Sequence, residues 1–240
     1  MTENASNLYL DLMKRCLTNW IYEDFDPEIR SVGRDWPDKA HTMIGLTRLD
    51  NLQFCVEDIL NNNVPGDLVE SGVWRGGATI FMRAILKVYG VCDRSTWVVD
   101  SFEGLPAPNA EKYPSDAGDT LYTHNNYLAV SLEQVKTNFE RYELLDEQVR
   151  FLKGWFKDTL PNAPIEKIAV LRADGDMYES TTDILTNLYP KLSVGGYVII
   201  DDYGCIPACR RAVDDYRKAQ GINDEMIQVD WTGVYWKRTT

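Results

Sequence analysis

Four aspartates in this chain are spaced so that they could act together. Asp174 and Asp176 follow the apolar run KIAVLRA in the stretch DGDMYEST, and Asp201 and Asp202 close a second run, GGYVII. Each pair sits where a hydrophobic strand is expected to end, so neighbouring strands would carry carboxylates to one edge. Unpaired, such charges repel and raise one another's pKa. A hard divalent cation removes the conflict, and an all-oxygen set completed by waters suits Mg2+. The candidate ligands are Asp174, Asp201 and Asp202. Alternatively, these acids cap the helices that follow or pair with Arg172, Arg210 or Arg211. Three roles are open to Asp176, in the turn leaving the strand: a fourth ligand, a helix cap, or a general base for a hydroxyl acidified by the cation.

A second constellation is the glycine turn VESGVWRGGAT, residues 69–79. Gly72, Gly76 and Gly77 allow a tight bend and a close ligand approach. The turn lacks the GK[ST] of a phosphate loop, and its E-x-G-x-x-x-G-G spacing is not the dinucleotide fingerprint. Asp100 ends the next apolar run, STWVVD, where a carboxylate can accept both ribose hydroxyls of a nucleoside; a helix cap or a solvated loop acid is the plainer reading. Diphosphate cofactors need phosphate-neutralising groups whereas a sulfonium amino-acid nucleoside does not, and an acidic pocket tolerates its positive sulfur. Both points favour S-adenosylmethionine over NAD.

The elements that must position these residues alternate in type. Helical spacing marks NLYLDLMKRCLTNWIY, where Leu8, Leu10, Leu12, Met13, Leu17, Trp20 and Ile21 share a face, and a second helix from about Thr42 to Leu60. From Asp67 onward, five short strands alternate with helices, and MIQVDWTGVYWKR reads as a closing hairpin turning near Trp231–Gly233. The expected fold is α/β: a Rossmann-like, seven-stranded, mostly parallel sheet with a C-terminal antiparallel hairpin, the class I S-adenosylmethionine-dependent methyltransferase arrangement, plus N-terminal helices. Residues 1–65 form a helical cap of the same domain, and 66–240 the methyltransferase domain. Its long irregular stretch at 102–130 reads as an active-site lid.

Composition narrows the function classes. The chain has 240 residues, 44% hydrophobic and 26% charged, with a net charge of −12. That balance argues against a nucleic-acid partner, which needs basic clusters. No run approaches a membrane span of about 20 apolar residues. The N-terminus is polar and lacks an apolar leader core, so the five cysteines are read as reduced and the protein as cytoplasmic. Cys205 and Cys209 in CIPAC lack the companion ligands of a zinc site and are read as packing residues.

Six segments carry a specific resemblance: HTMIGLTRLDNLQFCVE, DLVESGVWRGGATIFMRAIL, VVDSFEGLP, FLKGWFKDTLP, VLRADGDMYEST and GGYVIIDDYGCIPACRRAVDDYR. Together they resemble the macrocin-type (TylF-like) O-methyltransferases of antibiotic biosynthesis, which methylate deoxysugar hydroxyls, and the likeness runs from about Asn7 to Arg238. It implies S-adenosylmethionine as donor, S-adenosylhomocysteine as product, Mg2+ dependence, a glycoside acceptor and a homodimer or higher homo-oligomer. Carried across, Glu70, Gly72, Val73, Trp74, Gly76 and Thr79 match the donor-binding loop. Asp100 matches the ribose acid, with Ser101 and Phe102 beside it. Thr42 and Met43 match the segment closing over the donor's amino-acid end, and Gly154, Trp155 and Phe156 the segment flanking adenine. Asp174 matches a residue at both donor and metal, Asp201 and Asp202 match further metal ligands, and Asp176 the base. Stretches 22–40 and 103–130 are those expected to read the acceptor.

The expected reaction is in-line transfer of a methyl group to a sugar oxygen, with Mg2+ orienting two neighbouring hydroxyls and Asp176 taking the proton. Two alternatives stand beside it: a catechol-type methyltransferase acting on a phenolic vicinal diol, and a nucleoside-binding module without catalysis. His124 is read as a surface residue and His41 as a support for the HTMIG turn. Trp74 and Trp155 are read either as aromatic walls of the donor site or as core.

Overall fold

In the computed structural model, residues 3–22 and 24–240 are described, apart from the side chains of Glu3 and Asn4. Met1 and Thr2, part of the N-terminus read as leaderless, and Glu23, within the stretch expected to read the acceptor, lie outside the described residues. In chain order the helices are α1 (Glu3–Leu17), α2 (Pro27–Ser31), α3 (Leu46–Asn61), α4 (Gly77–Val88), α5 (Asn125–Leu128), α6 (Leu132–Arg141), α7 (Phe156–Thr159), α8 (Tyr178–Leu188) and α9 (Pro207–Gln220). The strands are β1 (Asp67–Ser71), β2 (Thr96–Asp100), β3 (Val149–Lys153), β4 (Ile168–Ala173), β5 (Leu192–Ile200), β6 (Ile227–Gln228) and β7 (Val234–Lys237).

They form one sheet in the order β3-β2-β1-β4-β5-β7-β6. The pairs from β3 to β5 are parallel, while β7 runs antiparallel to β5 and to β6. This is the expected seven-stranded class I methyltransferase arrangement. Strand order reverses between β1 and β4, and the carboxyl ends of these strands flank the crevice where ligands bind in such sheets.

Strand pleating sorts the core into two layers, because successive side chains point to opposite faces. Leu68, Val98, Val170 and Ile199 pack on one face with residues of α1, α3, α4 and α6. Val69, Val99, Leu171, Val198 and Ile200 pack on the other with residues of α8 and α9. Near-continuous apolar runs are what a parallel sheet covered on both faces requires.

Several boundaries differ from the sequence reading. Trp20 and Ile21 lie beyond the end of α1, and Leu8 and Leu12 are 71% and 53% exposed. Its buried side is Leu10, Met13 and Leu17, a narrower helical stripe than the leucine count suggests. α3 begins at Leu46 rather than Thr42, because the preceding backbone is used in tertiary bonds. Gly77 N–H donates to His41 O at 2.8 Å, and a Cβ on Gly45 would meet Ser31 O at 2.3 Å. The 102–130 stretch is irregular but not structureless, holding short 3-10 turns at Pro114–Asp116 and Leu121–His124 and the brief α5.

Candidate active site

The β1–α4 turn is built on positive φ values at Gly72, Trp74 and Gly76, at 86°, 47° and 84°. Gly72 is the position where glycine is obligatory, since a Cβ there would lie 1.8 Å from Asp174 O. This contact places the glycine turn directly against the end of β4. Asp100 braces the same turn from β2, accepting from Val73 N–H and Phe102 N–H, both at 2.7 Å. Burial pushes its carboxyl above the ordinary range, against the pull of these donors.

Glu70 and Arg172 are directly opposite on β1 and β4, and pleating turns both toward the α3 side. Arg172 Nη1 reaches Glu70 Oε1 at 2.5 Å and Asp174 Oδ2 at 3.0 Å, and its Nη2 bonds Asp201 Oδ1. A second guanidinium arrives from α3, with Arg48 Nη1 2.6 Å from Asp201 Oδ2 and Nε 3.1 Å from Asp230 Oδ2. Asp201 therefore stays ionised. Burial would raise its pKa, but Arg172 and Arg48 outweigh burial and hold it below the ordinary value.

The remaining acids face one another. Oxygens of Asp174, Asp176 and Asp202 lie within 4.8 Å of each other, in a set that could hold a cation. Asp202 Oδ2 is buried and has no hydrogen-bond partner. Burial and then the Asp201 charge raise Asp174 to about 6, while burial and neighbouring carboxylates push Asp176 and Asp202 well above the carboxylate range. Orphaned, mutually repelling oxygen donors fit a hard divalent ion. Of the expected trio, Asp174 and Asp202 thus come together with Asp176; Asp174 also shares the Arg172 guanidinium with Asp201, which points to the opposite face from Asp202 and is held by Arg172 and Arg48. The two bonds to Asp201 leave lone pairs on each of its oxygens. Glu70 rises to about 8 because burial outweighs its pairing with Arg172.

A cavity of about 450 Å³ joins the glycine turn to the acid edge, within the usual range for a small-molecule site. Of the residues expected at the donor, Thr42, Met43, Glu70, Gly72, Val73, Trp74, Asp100, Ser101, Trp155, Phe156 and Asp174 line it. Gly76, Thr79, Phe102 and Gly154 do not. Thr79 Oγ1 donates to Gly76 O at 2.9 Å inside the first turn of α4, and Gly154 N–H donates to Asp100 O at 2.9 Å, so both support the walls. His124 lies outside the cavity lining. His41 Nδ1 contacts Tyr142 Oη at 2.8 Å and its carbonyl holds Gly77 N–H, the support role expected of it. Cys205 and Cys209 are free thiols.

The outer wall falls in the stretches 22–40 and 103–130 expected to read the acceptor, although no residue of it was singled out from sequence. Trp36, 53% exposed, stacks on Tyr127 with ring centroids 5.8 Å apart and planes 6° apart, and Trp74 Nε1–H donates to Tyr127 O at 3.2 Å. Arg48, Trp231 and Thr232 were missed as well, although all three line the cavity. They belong to α3 and the β6–β7 turn, and no local pattern marks them.

Comparison with known proteins decides the family, because residues 22–238 match the profile of the macrocin O-methyltransferases (TylF). The chain belongs to this O-methyltransferase family. One relative is the 8-demethyl-8-(2,3-dimethoxy-alpha-L-rhamnosyl)-tetracenomycin-C 4'-O-methyltransferase of Streptomyces olivaceus, 59% identical over 100% of this chain and 95% of that protein. Another is the demethyldecarbamoylnovobiocin O-methyltransferase of Streptomyces niveus, 57% identical over 99% and 96%. The solved structure of the O-methyltransferase NovP superposes with a TM-score of 0.96 at 59% identity, covering 98% of this chain and 100% of that one. Like other class I methyltransferases, this family member is an enzyme built on the sheet described above. Among its described residues, no helix is long and apolar enough to cross a membrane.

Proposed function

We propose that the protein transfers the methyl group of S-adenosylmethionine to a hydroxyl of a deoxysugar on a glycosylated natural product, with Mg2+ at the acid edge. The observation that carries this reading is one cavity containing both the glycine turn at Gly72 and the carboxylates Asp174, Asp176 and Asp202. The rhamnosyl substrate of the Streptomyces olivaceus relative supports a sugar acceptor.

When bound, S-adenosylmethionine supplies a methyl group on a sulfonium sulfur, which leaves as a neutral thioether. When bound, Mg2+ supplies positive charge that acidifies a coordinated hydroxyl. Asp174 and Asp202 would hold the ion, with a free lone pair of Asp201 completing the protein's share. The turn 72–74 and Asp100 would hold the nucleoside, and Trp155 with Phe156 would flank its base. Asp176 would take the hydroxyl proton as the new carbon–oxygen bond forms. A cation beside it would keep Asp176 ionised beforehand and so ready to accept the proton. Holding donor and hydroxyl in line is worth up to about 7–11 kcal/mol in well-aligned systems, so positioning outweighs base strength.

The test is a methylation assay with labelled donor on an aryl α-L-rhamnoside and a catechol side by side. The expected result is label on the rhamnoside. Label on the catechol alone would make the enzyme a phenol methyltransferase, and label on neither, together with nucleoside binding, a non-catalytic module.

A further inference from the structure

We infer that Asp116, in the insertion between β2 and α6, is a positioning residue for Asp176. The inference rests on the proposed role of Asp176 as proton acceptor.

Asp176 sits in a short turn with a fixed point on either side. Upstream, Asp174 N–H donates to Ser71 O at 2.9 Å, which ties the end of β4 to β1. Asp176 itself has a φ of 54°, a left-handed conformation that a non-glycine residue keeps only when its surroundings enforce it. Downstream, α8 starts at Tyr178, and its N-cap residue, Met177, makes no side-chain capping bond. The first N–H groups of a helix need acceptors from elsewhere when its end is buried.

Asp116 provides them. Its Oδ1 accepts from Tyr178 N–H at 2.6 Å and its Oδ2 from Glu179 N–H at 3.0 Å. Its side chain is only 1% exposed, and the two bonds span 62 and 63 residues of sequence. A charged acceptor at a helix N-terminus also complements the helix dipole. The surrounding chain is shaped to deliver this carboxylate. Pro114 starts the turn that carries Asp116, the Tyr113 ring lies 6.1 Å from the Tyr178 ring, and Asp119 N–H donates to Asp116 O at 3.1 Å. The insertion is thereby fastened to the helix that follows the catalytic turn, two residues beyond Asp176. Without the Asp116 oxygens the first turn of α8 loses its cap, and the left-handed residue beside it loses its downstream support. The insertion therefore sets the geometry of the proton acceptor as well as walling the cavity.

The test compares Asp116→Ala, Asp116→Asn, Asp116→Ser and Asp176→Asn in the full chain. S-adenosylhomocysteine binding by calorimetry gives affinity and the competent fraction, and turnover on the aryl α-L-rhamnoside is expressed per competent molecule. For Asp116→Ala, donor-site affinity is expected within about threefold of wild type, while kcat falls roughly tenfold or more and acceptor KM moves less, as misplacement of a reacting group predicts. Asp116→Asn keeps one acceptor oxygen and is expected to recover most of the rate, ahead of Asp116→Ser. If Asp116→Ala fails to bind S-adenosylhomocysteine, the order wild type, Asn, Ser at constant affinity carries the test. Unchanged kcat in all three, with Asp176→Asn inactive, would reduce Asp116 to a structural cap and overturn the inference. An active Asp176→Asn would remove the base reading itself, and the inference with it.

Discussion

Arg48 Nη1 lies 2.6 Å from Asp201 Oδ2, joining a helix of the N-terminal segment to the acid edge at the end of β5. Both side chains are buried, and the partner contacts are shared: Arg48 also meets Asp230, and Asp201 also meets Arg172. A Cβ on Gly33 would lie 2.6 Å from Arg48 Nη2, and one on Gly233 3.1 Å from its Cδ, so the chain leaves room for this guanidinium on two sides. Breaking such a pair strands a buried charge. Arg48→Met is expected to lower stability by about 3–5 kcal/mol, with Arg48→Lys costing less, as measured by urea unfolding. A loss under about 1 kcal/mol would show that water reaches the pair and solvates Asp201.

In the proposed mechanism the acid edge divides into two roles that two substitutions separate. Asp201→Asn is expected to weaken Mg2+ binding by about tenfold or more, since it removes one ligand charge from an all-oxygen site. Asp176→Asn is expected to keep Mg2+ binding and lose turnover. Calorimetric Mg2+ titration of both variants checks the assignment, and the opposite pattern would exchange the two residues.

Much of this edge was legible in the sequence, and the reason is the pleat. Apolar runs ending in DGD and IDD fix which residues stand at the carboxyl ends of β4 and β5. Residues 201 and 202 point to opposite faces, and the register sets Asp174 level with Asp201 on the α3 side; the set Asp174, Asp176 and Asp202 forms only where the chain has left β4 after Ala173. What waits on the α3 side is not legible, because Arg48 lies 153 residues from Asp201 and its helix shows only an ordinary apolar stripe. Asp116 is hidden for the same reason: capping is a local signal in sequence, but here the acceptor is supplied from 62 residues away. Trp36 and Tyr127 belong to irregular segments, where neither period marks a facing side.

Gly72 and Gly90 make a controlled pair. Both have positive φ, at 86° and 68°, but a Cβ on Gly72 would strike Asp174 O whereas a Cβ on Gly90 meets nothing within 4 Å. Gly90→Ala is expected to cost about 1 kcal/mol, the backbone strain alone. Gly72→Ala must also part the β1 turn from β4, so S-adenosylhomocysteine binding is expected to fall by about tenfold or more, with stability lowered beyond the Gly90 variant. Calorimetry and urea unfolding of the two proteins give the comparison.

His41 provides a pH dependence remote from the acid edge. Burial first, then the charges of Arg141 and Arg75, lower its pKa from 6.5 to about 4. It is neutral in the folded protein, and it protonates more readily when unfolded. Its contribution is therefore complete above pH 6.5 and is lost as pH falls through about 4. Relative to His41→Gln, the wild-type protein is expected to lose about 1 kcal/mol of stability between pH 7.5 and pH 5, after discounting for partial exposure. Urea unfolding of both proteins at the two pH values checks this, and parallel pH profiles would mean that the ring is solvated in the folded state.

The most direct measurement is turnover of S-adenosylmethionine with a rhamnoside acceptor by metal-stripped enzyme, before and after Mg2+ is restored. The paired carboxylates and the orphaned Asp202 oxygen predict activity that disappears with chelation and returns with Mg2+. Full turnover without any divalent ion would contradict the account.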